Sequence, residues 1–233
     1  MSKKNKKQEF ETEEFVEKLD RTAFNVENFV EKNSKVLGIV IGAIVLVALG
    51  YFAYLKLVVE PKSDLALSEM VTAERLFDQD SIAKALNGSE GSYLGLQQIV
   101  DEYGNTDAGN LAKLKAGVAY YKLGDYTNAI KMFEDFDTDD AVLKAQKFGM
   151  IGNALVQSGK VEDGLPYYVK AAKASEVAVI EQMYYTKAGH IAMSLGKNDE
   201  ALKYFQTIAD KYPSANNDEA EKFVERLKYA TEQ

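Results

Sequence analysis

The sequence contains no cysteine and a single histidine, His190. The absence of cysteine excludes disulfide bonds, thiolate metal sites and a cysteine nucleophile, and it leaves the cellular compartment open. His190 has no clustered companion with which it could act as a general base or metal ligand, so we interpret it as a satisfied or groove-lining residue. The motifs G-x-x-x-x-G-K-[ST], G-x-S-x-G and H-E-x-x-H are also absent. We therefore predict a protein that is not an enzyme and that holds no cofactor or metal.

An excess of basic residues is missing too. The chain has 28 Lys and Arg against 36 Asp and Glu, and the first 35 residues contain eight of each sign, so the acidic excess lies beyond them. A nucleic-acid-binding protein needs a basic face that displaces counterions from phosphates. The charge balance therefore argues against nucleic acid as a partner.

The acidic stretch "EDFDTDDA" is the nearest approach to a cation-binding loop. It supplies Asp135, Asp137, Asp139 and Asp140, but a calcium loop needs glycine where Asp140 stands and glutamate at its twelfth position. We predict instead that Asp139 or Asp140 caps the following helix.

Residues 36–55, "VLGIVIGAIVLVALGYFAYL", form a run of twenty residues without a charge. A helix of this length spans roughly 30 Å, the thickness of the hydrocarbon core of a bilayer. A buried helix of a soluble protein and a cleaved signal peptide are the alternatives, but the run is long and ends in bulky residues. We predict an uncleaved transmembrane anchor at 36–58. The bias of Lys and Arg towards its N-terminal side predicts a cytoplasmic N-terminus, and hence a single-pass inner-membrane protein with a periplasmic C-terminal domain.

Two features flank or lie within this anchor. Gly38 and Gly42 form a G-x-x-x-G pair, which either marks contact with another membrane helix or reflects the abundance of glycine in such helices. The preceding residues 1–35 form a predicted cytoplasmic stub with an amphipathic helix that lies on the membrane lipid, docks on a partner or is merely solvated. Its apolar stripe contains four candidate docking residues, Phe15, Leu19, Val26 and Phe29.

A repeated pattern fills much of the remaining chain. Three stretches, "AGVAYYKLGDYTNAIKMF", "IGNALVQSGKVEDGLPYY" and "AGHIAMSLGKNDEALKYF", align with offsets of 35 and 37 residues. Each predicts a helical hairpin with a small residue at the close crossing, glycine at the end of the first helix and an aromatic residue that fills the space between hairpins. A hairpin alone cannot bury this surface, so the pattern predicts a stacked all-α solenoid.

The pattern resembles the tetratricopeptide repeat, L-G-x-x-Y…A-x-x-x-F…P. The resemblance implies an all-α fold, with a single N-terminal transmembrane helix followed by a tetratricopeptide-repeat solenoid at 62–233. The predicted parts are a degenerate first repeat at 62–105, repeats at about 110–140, 145–178 and 182–213, and a capping helix at 216–231 with Phe223 and Leu227 turned inward.

By the same resemblance, the first helix of each hairpin lines a concave peptide groove. Its candidate residues are Leu114, Val118, Tyr121, Asn153, Val156, Met183, Thr186, His190 and Met193. A mainly apolar groove suits extended, weakly specified polypeptide, but the same residues could instead pack within the superhelix. One subclass of the family clamps a C-terminal carboxylate, and Leu114 and Val118 occupy places where that clamp needs polar residues.

The order of stub, anchor and repeats resembles the membrane-anchored ancillary subunit of the bacterial Sec translocon. The resemblance rests on "TEEFVEKLDRTAFNVENFVEKNSK" running into the anchor, on "GNTDAGNLAKLKAGVAYYKLGDYTNAI" and on the later repeats. It implies three kinds of partner: translocon subunits, a periplasmic membrane-anchored chaperone of the peptidyl-prolyl isomerase class, and unfolded client polypeptides. The alternative is an envelope scaffold for cell-wall synthesis, division or secretion.

Overall fold

A computed structural model describes the backbone of residues 3–213 and 218–231, and the side chains of residues 29–213 and 219–229. The chain divides into two compact units, Met1–Val58 and Val59–Gln233.

The first unit is helical. Helix α1 spans Lys3–Tyr54, and a π-helical turn, Leu55–Val59, follows it. Most apolar side chains from Val36 to Val58 are exposed, with Ile39 and Val47 each more than 70% accessible. One helical stretch of the described residues, Phe29–Asp78, is long and apolar enough to cross a bilayer by length and composition. Contiguous exposed apolar side chains on this scale are typical of surfaces that contact a membrane or another protein.

The second unit is an all-α solenoid. Its helices are α2 (Glu60–Asp78), α3 (Ile82–Asn87), α4 (Leu96–Tyr103), α5 (Asp107–Lys122), α6 (Tyr126–Asp135), α7 (Ala141–Gln157), α8 (Val161–Ala174), α9 (Ala178–Ser194), α10 (Asn198–Lys211) and α11 (Asp218–Thr231). Helices α5 and α6, α7 and α8, and α9 and α10 form three consecutive antiparallel hairpins, as the repeat pattern predicts. Helix α2 precedes them with the short helices α3 and α4, and α11 packs on α10.

Each hairpin turns at the predicted glycine. Gly124, Gly159 and Gly196 have φ of 79°, 85° and 72°, a left-handed conformation that costs glycine little. After α5, the amide of Asp125 donates to the carbonyl of Tyr120 at 2.9 Å, and the other two turns repeat this bond. This six-to-one hydrogen bond satisfies a carbonyl that the helix end leaves free. The helix-ending role of the three glycines is confirmed.

The aromatic residues of the repeat contact the following helices and also pack within their own hairpins. We predicted that Phe133, Tyr168 and Phe205 fill the space between hairpins. Phe133 shares a core cluster with Ile151 and Leu155 of the next hairpin, and Phe205 stacks on Phe223 of α11. Each ring also lies against the glycine of the first helix in its own hairpin. A Cβ atom on Gly117 would lie 2.6 Å from the Phe133 ring, and one on Gly189 would lie 2.5 Å from the Phe205 ring. The missing side chain makes room for the ring, so glycine and aromatic residue form one packing unit.

This packing predicts a graded response to alanine. Gly117→Ala and Gly189→Ala should each lower the free energy of unfolding by about 1 to 3 kcal/mol, because the Phe133 and Phe205 rings are fully buried and cannot move away. Gly152→Ala should cost less, because its Cβ would lie 3.1 Å from the Tyr168 ring. Urea unfolding of the full-length variants in detergent, followed by circular dichroism, measures the three values. Equal losses of unfolding free energy at all three positions would contradict the proposed packing of each glycine against its aromatic ring.

Two further predictions concern the ends of the repeats. Asp140 caps α7, since one oxygen of its carboxylate accepts from the amides of Val142 and Leu143 at 2.9 and 2.8 Å. On the capping helix, Leu227 is buried and the Phe223 ring stacks on Phe205 with centroids 4.6 Å apart. Both predictions are confirmed.

Candidate functional site

The first helices of successive hairpins form one face of the solenoid. Helix α2 packs against α5, α5 against α7 and α7 against α9, whereas no comparable contact joins α6 to α8 or α8 to α10 in this described part of the chain. Most of the contact between neighbouring hairpins joins the second helix of one to the first helix of the next, and the first helices also meet one another along one side of the solenoid. We call the face formed by α2, α5, α7 and α9 the inner face.

A cavity of about 250 Å³ opens on the inner face between α2, α5 and α7. Its lining includes the apolar side chains of Phe77, Leu96, Leu114 and Val118. The alignment of α2 with α5 is fixed near their first turns, where the Ala108 amide donates to Ser63 Oγ at 3.2 Å. The two predicted groove residues Leu114 and Val118 thus lie together at the surface of one apolar depression.

Charged side chains border this cavity. Glu74 and Asp78 on α2 and Lys115 on α5 complete its lining, together with Gln146 on α7. Lys115 Nζ lies 3.0 Å from Glu74 Oε1, so these two charges neutralise each other. Asp78 is exposed and forms no ion pair with a described residue. The lining therefore carries a net charge of about −1.

A polar centre lies further along the inner face, between α7 and α9. Asn153 Oδ1 accepts hydrogen bonds from the Tyr168 hydroxyl at 2.9 Å and from Lys187 Nζ at 3.2 Å. Lys187 Nζ also lies 5.6 and 5.8 Å from the ring centroids of Tyr168 and Tyr184. Burial lowers the pKa of Lys187 and raises the pKa of Tyr168 to about 12. The Asn153 amide thus holds a half-buried cation against two rings.

The absence of a side chain at Gly149 on α7 also shapes the inner face between α7 and α9. A Cβ atom on Gly149 would lie 2.2 Å from the Tyr184 ring, so the ring of α9 fills the space over that glycine. Tyr184 is buried, and burial raises the pKa of its hydroxyl. Gly149 and Tyr184 therefore close the contact between the second and third hairpins.

The other predicted groove residues have varied surroundings. The Tyr121 ring meets Tyr126 edge-on, and Val156 lies against Gly164 of its own hairpin. Met183 is 44% exposed, Thr186 is half-buried and Met193 packs against the core. His190 is exposed, yet its ring lies edge-on to Phe205 and Phe223 with centroids 5.5 and 4.9 Å away. The groove assignment stays a prediction for these residues.

The predicted membrane-contact residues lie in the first unit. No atom of the described residues lies within 4 Å of a Cβ built on Gly38 or Gly42, and Phe29 is 60% exposed. The side chains of Phe15, Leu19 and Val26 lie outside the residues whose side chains the structure describes.

Several residues of the cavity and of the contact between α7 and α9 escaped the sequence analysis. They are Glu74, Phe77, Asp78, Leu96, Lys115, Gln146, Tyr184 and Lys187. The spacing of Glu74, Phe77 and Asp78 at i, i+3 and i+4 places them on one face of a helix, which is a usable signal. Nothing in the sequence indicates that this face lies beside Leu114. Among the described residues, no three His, Cys, Asp or Glu side chains form a group that could hold a metal ion.

Two segments match family models for known repeats. Models described as "Tetratricopeptide repeat" match residues 111–140 and 150–216. A TPR repeat-containing protein of Methanocaldococcus jannaschii is 28% identical over 109 residues, which are 47% of this chain. The match spans only 18% of the length of that relative.

Solved structures share the fold at low sequence identity. The nearly identical TPR-like repeats of a Podosopora anserina protein superpose with a TM-score of 0.53 at 15% identity, covering 74% of this chain and 88% of that one. YrrB, described as a TPR protein with an unusual peptide-binding site, superposes with a TM-score of 0.50 at 22% identity over 77% and 84%. The chain therefore has a tetratricopeptide-repeat-like solenoid fold, and two of its segments match models of that repeat.

Proposed function

We propose that this protein is a membrane-tethered binding module that holds extended polypeptide on its inner face. Tetratricopeptide repeats mediate protein–protein interactions, and the described part of the chain offers no metal-binding cluster. The observation that most directly supports this proposal is the apolar cavity between α2, α5 and α7. At about 250 Å³ it is smaller than most small-molecule pockets, which enclose roughly 300 to 1,000 Å³. It suits one or two apolar side chains of a longer ligand, and the peptide-binding site of YrrB is a precedent on the same fold.

The tether in this proposal is the apolar part of α1. Most of its side chains are exposed, which favours membrane lipid as their surroundings. The excess of Lys and Arg before residue 36 favours a cytoplasmic N-terminus. The solenoid would then lie on the opposite side of the inner membrane, in the periplasm.

The proposed partners are the Sec translocon, a membrane-anchored chaperone of the peptidyl-prolyl isomerase class and unfolded clients. The support is the resemblance in the order of stub, anchor and repeats. Gly38 and Gly42 leave an open strip on α1 at which a membrane helix of the translocon could approach closely. The inner face would then hold segments of a client as it leaves the channel.

Client binding is tested with a cavity variant and a matched control. Val118→Glu places a charge in the apolar cavity and should weaken binding of a permanently unfolded, labelled model protein by at least tenfold, because burying an unpaired charge is costly. Val161→Glu makes the same change at a half-buried valine on α8, away from the inner face, and should leave binding unchanged. Fluorescence anisotropy with the full-length protein in detergent gives both affinities. Equal binding by wild type and Val118→Glu, with helicity unchanged, would rule out the cavity as the site.

Translocon association needs a separate experiment. The full-length protein is extracted from native membranes in mild detergent, and co-purifying proteins are identified by mass spectrometry. We expect translocon subunits with the wild type and their loss when Gly38 and Gly42 are both replaced by leucine. Recovery of wall-synthesis or division proteins without the translocon would replace this partner with the envelope-scaffold alternative.

A further inference from the structure

We infer that the inner-face cavity selects polypeptide segments in which an apolar residue has a lysine or arginine one or two positions away. The inference rests on the proposed polypeptide binding and adds a sequence preference to it. The apolar lining accounts for the first residue of the motif. The charges at the border of the cavity account for the second.

Asp78 is the charge that decides the preference. It follows Phe77 directly, so its Cα lies about 3.8 Å from that of a residue in the apolar lining. The nearby cations are occupied: Lys115 pairs with Glu74 at 3.0 Å, and Lys122 pairs with Asp80 at 3.6 Å and lies 4.9 Å above the Phe77 ring. Arg75 lines a different depression, beside Lys84. Asp78 is thus an exposed carboxylate with no ion-pair partner among the described residues.

Two electrostatic contributions around Asp78 strengthen its attraction for a cation. Asp78 is the last residue of α2, where the helix dipole adds partial negative charge. The chain beyond residue 35 also has 28 acidic residues against 20 basic ones. A peptide carboxylate at this place would be repelled by Asp78, whereas an ammonium or guanidinium group would gain an ion pair.

The geometry sets the spacing of the motif. An apolar anchor that sits against Phe77 and Leu114 places its own backbone at the mouth of the cavity. An extended chain advances about 3.3 Å per residue, so a flexible basic side chain one or two positions away can reach Asp78. A basic residue much further along would lie beyond direct contact.

Four labelled ten-residue peptides test this preference with the full-length protein in detergent. Three contain one leucine followed by lysine, glutamine or glutamate in an otherwise identical glycine- and serine-rich sequence, and the fourth replaces the leucine of the lysine peptide with serine. We expect the lysine peptide to bind about three- to fivefold more tightly than the glutamine peptide, the usual range for a partly exposed ion pair. The glutamate peptide should bind more weakly than both, and 0.5 M salt should shrink these differences.

Matched variants identify the residue responsible. Asp78→Asn should make the lysine and glutamine peptides bind equally while leucine remains necessary, and Asp78→Lys should reverse the order. Asp139→Asn, an exposed acid on the α6–α7 loop, should keep the wild-type order.

Failure of the charge preference and failure of the proposed binding site give different results in these experiments. Equal affinity of the lysine, glutamine and glutamate peptides for the wild type, with leucine still required, would overturn the charge preference alone. Equal affinity of the leucine and serine peptides would overturn apolar anchoring, and with it the proposed site.

Discussion

Gly109→Ala is expected to lower the free energy of unfolding by about 3 kcal/mol, although alanine is the better helix former. A Cβ atom at this position would lie 1.8 Å from the carbonyl oxygen of Tyr103 and 2.8 Å from Gly104 Cα. These are main-chain atoms, so no side-chain rotation can relieve the overlap. The chain must instead shift where α4 turns into α5.

That turn is held by hydrogen bonds that the shift would disturb. The amide and the hydroxyl of Thr106 both donate to the Tyr103 carbonyl at 2.8 Å, and Thr106 Oγ1 accepts from the Gly109 amide at 3.0 Å. Thr106 is buried, so these groups have no access to replacement water. Losing the cap that Thr106 provides to α5 adds about 1 kcal/mol to the steric cost.

Thermal unfolding of the full-length protein in detergent measures this effect. For a domain of this size, a loss of about 3 kcal/mol lowers Tm by roughly 6 to 12 °C. Gly152→Ala is the control, because it makes the same substitution in a first helix against a more distant side-chain atom. Similar Tm values for the two variants would show that the backbone of the α4–α5 turn can shift with little loss of stability.

The repeat pattern predicted the hairpins well because their turns depend on local backbone geometry. Gly124, Gly159 and Gly196 end helices in a conformation with positive φ, and this requirement is visible in any single sequence. The same holds for Asp140, whose carboxylate bonds to amides two and three residues away. Signals of this kind need no knowledge of the tertiary fold.

The partners of the repeat residues were harder to predict because helical spacing defines a face and not the neighbour that meets it. Phe133 packs against Gly117 of its own hairpin as well as with Ile151 and Leu155 of the next, and only the packed structure shows the contact with Gly117. The contact between Gly149 and Tyr184 likewise depends on how two hairpins stack.

The cavity was the least predictable feature. It forms where α2, a helix outside the recognised repeats, lies beside α5 and α7. Leu114 and Val118 were found because they share the repeat register. Phe77 and Asp78 precede the first clear repeat, so no pattern links them to that register.

Glu181→Ala is expected to destabilise the third hairpin by about 2 to 3 kcal/mol, the usual range for hydrogen bonds that involve a charged group. Glu181 lies in the first turn of α9 and is only 7% exposed. Its carboxylate accepts from Lys211 Nζ at 2.7 and 2.8 Å and from the Tyr212 hydroxyl at 2.6 Å, and so links α9 to the end of α10. The Lys211 side chain is half open to water, so we assign most of the effect to the buried carboxylate.

Glu162→Ala is the matched control for this variant, because it makes the same substitution at another glutamate that pairs with a lysine. Glu162 also accepts from a lysine, Lys197, at 2.6 Å, but its side chain is 71% exposed. Screening by water leaves such a pair little net effect, so the unfolding free energy should hardly change. Urea unfolding at pH 7.5 compares the two variants. Equal unfolding free energies would mean that the Glu181 network adds nothing beyond a surface ion pair.

The same network predicts a pH dependence above neutrality. The hydrogen bond that the Tyr212 hydroxyl donates to Glu181 raises the pKa of Tyr212 above its ordinary 10.0, and the bonds that Lys211 donates to the same carboxylate raise the pKa of that lysine above 10.5. Because both pKa values are raised in the folded state, the stabilisation is complete below about pH 10 and is lost as the pH rises through the folded-state values. Glu181→Gln removes the charge that causes both shifts, so the stability difference between wild type and this variant should narrow from pH 9 to pH 11.5. A difference that stays constant over this range would place the stabilising effect of Glu181 in packing, since packing around the carboxylate does not depend on whether Tyr212 and Lys211 keep their protons.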